Sequence, residues 1–151
     1  MVFDKIPDTN IIDNNINTCI KTADRKEYTI LSHNCSGYEP TYHKPLLHDT
    51  VDFVLLQETH HFESSKFIYD DNQKFKTFHS SGMDENVVNK KWQGGVITYV
   101  NNRISSDCKL IAKHKRYLVI SVGKLVIINV YLPHQGYPDR DLYKSCLDEI
   151  A

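Results

Sequence analysis

The run Val51-Asp52-Phe53-Val54-Leu55-Leu56 constrains the fold more than any other part of the chain. It is apolar apart from one charge near its start and shows no period-2 alternation. It is also far shorter than the roughly 20 residues that cross a bilayer as a helix. Such a run suits a β-strand covered on both faces. Further strand signals surround it. Tyr28-Thr29-Ile30-Leu31 is β-rich and leads into the polar cluster Ser32-His33-Asn34, and Phe75–Ser80 and Gly94–Val100 read as strands. Cys108–Lys113 is another, and Arg116–Val122 and Lys124–Leu132 form a hairpin around Gly123. Pro133 stops the last of these.

Helical signals are fewer. A short helix is expected around Tyr42–His48, with Pro45 confined to a first-turn position. Asp139–Ala151 reads as a helix with Asp139 as N-cap and with Leu142, Cys146, Leu147 and Ile150 on one face. Residues 61–74 are polar and read as helix or loop, and Gly82–Lys91 as loop. Residues 1–26 are rich in Asn, Asp and Thr and read as a polar leader or a weak helix. The expected fold is therefore α/β in the α+β sense, a two-layer β-sandwich flanked by helices, occupying residues 27–151.

A chain of 151 residues allows one domain with a real core, and 40% hydrophobic against 25% charged residues argues against wholesale disorder. The formal net charge of −1 excludes a strongly basic DNA-coating protein. It permits a nucleic-acid substrate held through a metal ion, which needs less basic surface. Cys19, Cys35, Cys108 and Cys146 show neither a CxxC pair nor a knuckle spacing and read as free thiols of a reducing compartment. The start MVFDKIPDTN has no basic n-region or apolar h-region, and no long apolar run follows. An intracellular location, nuclear or cytoplasmic, is expected, with no membrane partner.

Three strands end in polar groups able to serve chemistry. The buried run ends in Gln57-Glu58-Thr59-His60, which places a carboxylate at a strand's C-terminal edge, where ligand sites of layered folds lie. A carboxylate is a hard oxygen ligand suited to Mg²⁺. The strand at Tyr28 leads to Asn34, whose amide oxygen can complete a metal's shell. Lys124–Leu132 carries Asn129-Val130-Tyr131-Leu132-Pro133-His134, and the Tyr131 hydroxyl can donate to a phosphate oxygen. Taken singly, each has a plainer and commoner reading: an exposed residue after a strand, a turn asparagine, a half-buried aromatic.

As an ordered set these segments resemble the endonuclease/exonuclease/phosphatase family. Asn34 after an apolar strand, Leu56-Gln57-Glu58-Thr59-His60, Gly94-Gly95-Val96 and Asn129-Val130-Tyr131-Leu132-Pro133 follow that family's order and spacing. The Gln-Glu-Thr-His and Asn-Val-Tyr-Leu-Pro forms look most like the endonuclease domains of non-LTR retrotransposons, and also resemble the apurinic-site repair nucleases. The resemblance covers about residues 28–151 and about half of the family's domain. It implies Mg²⁺-dependent cleavage of DNA phosphodiesters, with Mn²⁺ as a substitute. Glu58 would be the main metal ligand, Asn34 would sit beside the metal, and Tyr131 would contact the scissile phosphate.

Departures accompany the match. Ser36 stands where the family often has Asp or Asn, and His134 stands where repair nucleases carry Asn. The Gly-Asp-Phe-Asn and Ser-Asp-His segments are not in this sequence, and the helical pattern runs to Ala151 without a stop signal. The expectation is thus an N-terminal part of such a domain, inactive by itself. A catalytically dead remnant or binding module is an alternative, as is a phosphomonoesterase or sphingomyelinase-type phosphodiesterase on the same scaffold. His134 and Trp92 are candidate substrate contacts, Trp92 by stacking on a base or, more plainly, as a loop anchor. His60-His61 reads as surface histidines, because neighbours in an extended segment point opposite ways. Lys109–Arg116 reads as a solvated face that could instead track a phosphate backbone. Gly95 reads as a site of close backbone approach.

Overall fold

The computed structural model describes residues 11–12, 15–21, 27–83, 94–132 and 140–150. Its strands are β1 (Ile11–Ile12), β2 (Asn15–Lys21), β3 (Glu27–Asn34), β4 (Phe53–Gln57), β5 (Phe75–Ser80), β6 (Val96–Asn101), β7 (Cys108–His114), β8 (Tyr117–Val122) and β9 (Leu125–Val130). Two helices, α1 (Pro40–His43) and α2 (Arg140–Ile150), flank them. The first six strands form one sheet in the order β1-β2-β3-β4-β6-β5, and the last three form a second in the order β7-β8-β9. The molecule is the expected two-layer β-sandwich of α+β class.

β4 lies at the centre of the larger sheet because its side chains bury on both faces. Phe53 and Leu55 join Tyr28, Ile30, Val100, Ile120, Val122 and Ile127 in the core between the layers. Val54 and Leu56 join Leu31, Ile68, Ile97 and Tyr99 in a second core on the opposite face. Asp52, the one charge in that run, sits just before the strand. Its carboxylate accepts from the backbone N–H of Thr29 at 2.8 Å and from Nε of Arg103 at 2.8 Å, so the buried charge is paired.

β3 and β4 run parallel, with Asn34 opposite Gln57 at their shared C-terminal end. All other pairings are antiparallel. The β8–β9 hairpin turns at Gly123, whose φ of +56° suits a residue without a Cβ. Ser32, His33 and Asn34 belong to β3 rather than to the turn beyond it.

Other segments differ from the sequence reading. Residues 15–21, read as part of a polar leader, form β2 and pair with β3 at seven positions from Asn15↔His33 to Lys21↔Glu27. The tertiary pairing overrides the weak local signal of an Asn-rich segment. The short helix expected over Tyr42–His48 starts earlier, at Pro40, and becomes a single 3-10 turn at Lys44–Leu46, where Pro45 occupies the first turn. Residues 61–74 form turns, in line with the loop alternative of their helix-or-loop reading. Gly82–Met83 lie in loop, and the rest of the 82–91 loop falls outside the described residues, as do Asp139 and the side chains of Leu142, Cys146 and Ile150. Among the described residues, no helix is long and apolar enough to cross a membrane. Cys19, Cys35 and Cys108 are free thiols.

Candidate functional site

The candidate site lies where the C-terminal ends of β3 and β4 meet the end of β9. Chain geometry places Glu58 there. Beyond Gln57 the backbone turns sharply, with Glu58 at φ +51° and His60 at φ +49°, in the left-handed region where side chains other than glycine are strained. The loop after β3 runs alongside. Cys35 N–H donates to the Gln57 carbonyl at 2.8 Å, Gly37 N–H to that of Glu58 at 2.7 Å, and Tyr38 N–H to that of Thr59 at 2.8 Å. On the other flank, Thr59 N–H donates to Gly95 O at 3.2 Å and His60 N–H to Gly94 O at 3.1 Å. Hydrogen bonds on both sides thus fix the strained backbone.

The half-buried Glu58 carboxylate accepts a short hydrogen bond from the Tyr131 hydroxyl. This contact joins the two layers, since Tyr131 follows β9 of the smaller sheet. Asn34 is exposed at the neighbouring strand end, and its Oδ1 accepts from Ser36 N–H at 3.1 Å. That local turn aligns the amide and places Ser36 beside it. Tyr28 and Ile30 point into the core between the layers, so alternation along β3 puts Asn34 on the Glu58–Tyr131 side of the sheet. Glu58, Asn34 and Tyr131 therefore share one edge of the sandwich. Trp92 and His134 lie outside the described residues.

Two further contributors were read from sequence only as parts of longer segments, the Asn129–Pro133 motif and the basic stretch Lys109–Arg116. Asn129 is 1% exposed and spans the layers from β9. Its amide donates to Ile97 O at 2.8 Å, Thr98 Oγ1 at 3.1 Å and Leu56 O at 3.3 Å, and its Oδ1 accepts from Gln57 Nε2 at 2.8 Å. It sits two residues before Tyr131 and hydrogen-bonds the residue before Glu58, so it sets their relative position. Its place between Ile128 and Val130, at a position facing the core, was the available signal. The second contributor is Arg116, in the turn between β7 and β8. Its guanidinium lies 5.5 Å from the centroid of the Tyr131 ring, and its carbonyl accepts from Tyr131 N–H at 2.8 Å. The rest of Lys109–Arg116 is largely solvated, as the plain reading has it.

His60 and His61 part company. His60 is half-buried, but His61 is 0% exposed, which corrects the expectation of two surface histidines. Its Nδ1 meets Thr59 Oγ1 at 2.7 Å and its Nε2 meets His79 Nδ1 at 3.1 Å. His60 has φ +49°, so the pair does not lie on the extended backbone that the sequence reading assumed. Burial, reinforced by His79, lowers the His61 pKa to about 4. Gly95 makes room for this packing. A Cβ there would lie 2.7 Å from Thr59 Oγ1 and 3.3 Å from His61 Nδ1, so the close approach expected at Gly95 is present.

The donor set suits a hard divalent cation. One carboxylate with a nearby amide oxygen matches the sparse protein ligation of Mg²⁺, which keeps several waters. The Tyr131 hydroxyl donates to Glu58 Oε1. No model of a known protein family matches the chain, and no curated protein matches its sequence.

Proposed function

We propose that the chain is part of a metal-dependent phosphodiesterase domain of the endonuclease/exonuclease/phosphatase type, acting on DNA as a nicking endonuclease. The observation that carries this reading is the hydrogen bond from Tyr131 to Glu58 across the two sheets, at the edge that also holds Asn34. Residues 73 positions apart in sequence converge there. They do so on a strained backbone, a feature concentrated at functional sites.

The roles follow from the chemistry of each group. Glu58 would hold Mg²⁺, or Mn²⁺ in its place, which when bound withdraws charge from a phosphate oxygen. Asn34 would orient the ligand shell through its amide. Tyr131 donates its one hydroxyl proton to the Glu58 carboxylate, and would turn that proton to a phosphate oxygen once a cation is held by Glu58. Arg116, stacked near the Tyr131 ring, would supply positive charge for the phosphate, a role its planar guanidinium suits. A chain of net charge −1 would then rely on local cations rather than on a broad basic surface.

Titration with Mn²⁺ followed by nuclear magnetic resonance tests this. Paramagnetic broadening is expected first at the amides of Asn34, Ser36 and residues 57–59. It should be lost in Glu58→Gln and retained in Lys109→Gln. Broadening centred elsewhere, or unchanged by Glu58→Gln, would sink the assignment. A supercoiled-plasmid assay in Mg²⁺ supplies the catalytic readout: any nicking should fall on the order of 100-fold in Glu58→Gln.

A further inference from the structure

Behind the candidate nuclease edge, on the opposite face of β3, three soft or borderline ligands converge. His33, Cys35 and His43 each present one donor atom, and these atoms all lie within 4.8 Å of one another. We propose that they form a Zn²⁺ site, distinct from the Mg²⁺ site proposed at Glu58.

The geometry arises simply. His33 and Cys35 are two residues apart at the end of β3, so they share the face of Leu31, which packs in the outer core with Val54 and Leu56. Asn34, between them, takes the other face. The chain then turns through Ser36 and Gly37 into α1, and α1 returns His43 to the same spot. The rings of His33 and His43 lie 5.4 Å apart. Tyr38 also stacks on His43, with ring centroids 5.2 Å apart. The spacing is His-x-Cys followed eight residues later by His. Counting cysteine pairs alone does not reveal it.

Two observations mark the cluster as more than packing. Nδ1 of His33 is buried and has no hydrogen-bond partner. A buried polar atom without a partner calls for a ligand. His43 is 6% exposed, and its Nδ1 lies 2.8 Å from the Glu39 carbonyl oxygen. The Glu39 N–H lies 2.9 Å from the same nitrogen, so the Glu39 backbone holds Nδ1 in either tautomer, and in the one where Nδ1–H donates to the carbonyl Nε2 carries the lone pair. Metal-binding histidines are held in this way by a backbone carbonyl behind the ring.

One thiolate and two imidazoles select Zn²⁺ over Mg²⁺ or Ca²⁺. Tetrahedral Zn²⁺ places N and S donors roughly 3.3–3.6 Å apart, so side-chain rotations of about 1 Å would close the set. Binding releases the Cys35 proton to solvent and leaves one coordination position for water. The bound ion would also pin α1 to the end of β3, the strand end that carries Asn34.

Cobalt is the probe, because Co²⁺ bound to a thiolate gives a sulfur-to-metal charge-transfer band in the near ultraviolet. The full chain is expected to bind one equivalent with that band. Stoichiometric Zn²⁺ should displace it, and excess Mg²⁺ should not. Cys35→Ser should abolish the band, and Cys19→Ser should leave it intact. His43→Gln should weaken Zn²⁺ binding on the order of 100-fold, since even residues behind the ligands contribute 10–100-fold. Alkylation of the unsubstituted chain gives a measure that does not depend on variants folding: Zn²⁺ should protect Cys35 while Cys19 reacts at an unchanged rate. Absence of the band, its survival in Cys35→Ser, or alkylation of Cys35 unaffected by Zn²⁺ overturns the proposal.

Discussion

His61 shows how one residue ties stability to pH. Its pKa is lowered to about 4, first by burial and then by His79, against an ordinary value near 6.5. The folded state therefore resists the proton while the unfolded chain accepts it. Between about pH 6.5 and pH 4 the unfolded state binds more protons, so stability falls as pH falls through that window and levels off below it. The loss should be on the order of 2 kcal/mol. Urea denaturation at pH 7 and pH 4.5 should show it, and the difference should shrink in His61→Asn. His79, lowered in the same direction by burial, titrates with it and widens the effect. An equal pH dependence in the variant would place the acid sensitivity elsewhere.

At the scale of elements, the parts of the fold legible in the sequence are those where local and tertiary preferences agree. β4 declared itself by an apolar run that needs cover on both faces, and the β8–β9 hairpin by two β-rich runs around Gly123. β2 did not, because its Asn-rich sequence becomes a strand only through its pairing with β3. Of the candidate site, Glu58, Asn34 and Tyr131 were legible as polar strand ends, and the structure brings Glu58 and Tyr131 into contact. The roles of Asn129, Arg116 and His61 were not legible, since each depends on which element lies across from it. Asn129 is the residue that joins β9 to β4 and β6. Asn129→Ala leaves Gln57 Nε2 without that acceptor and removes donors to Ile97 and Thr98. A loss of roughly 2 kcal/mol is expected by urea denaturation. The Tyr131–Glu58 contact should loosen with it, visible as faster ring flipping of Tyr131.

For the molecule as a whole, the two sheets are coupled through one shared core. Ile120 of β8 is fully buried against Phe53 of β4 and its neighbours, with both layers contributing to the cluster. Ile120→Ala should cost about 3 kcal/mol and do so in a single transition. Hydrogen exchange should accelerate in β4 and β6 as well as in β8 and β9. Acceleration confined to the smaller sheet would mean that the layers unfold separately.

The φ of +51° at Glu58 separates what the backbone favours from what chemistry would use at that position. Glycine or asparagine would relax the turn by about 1 kcal/mol, so a library sorted only for thermal resistance would drift away from the carboxylate. A library sorted for cation-dependent cleavage would hold glutamate against that drift. The fate of codon 58 under the two regimes would thus report whether glutamate at this position serves folding or catalysis.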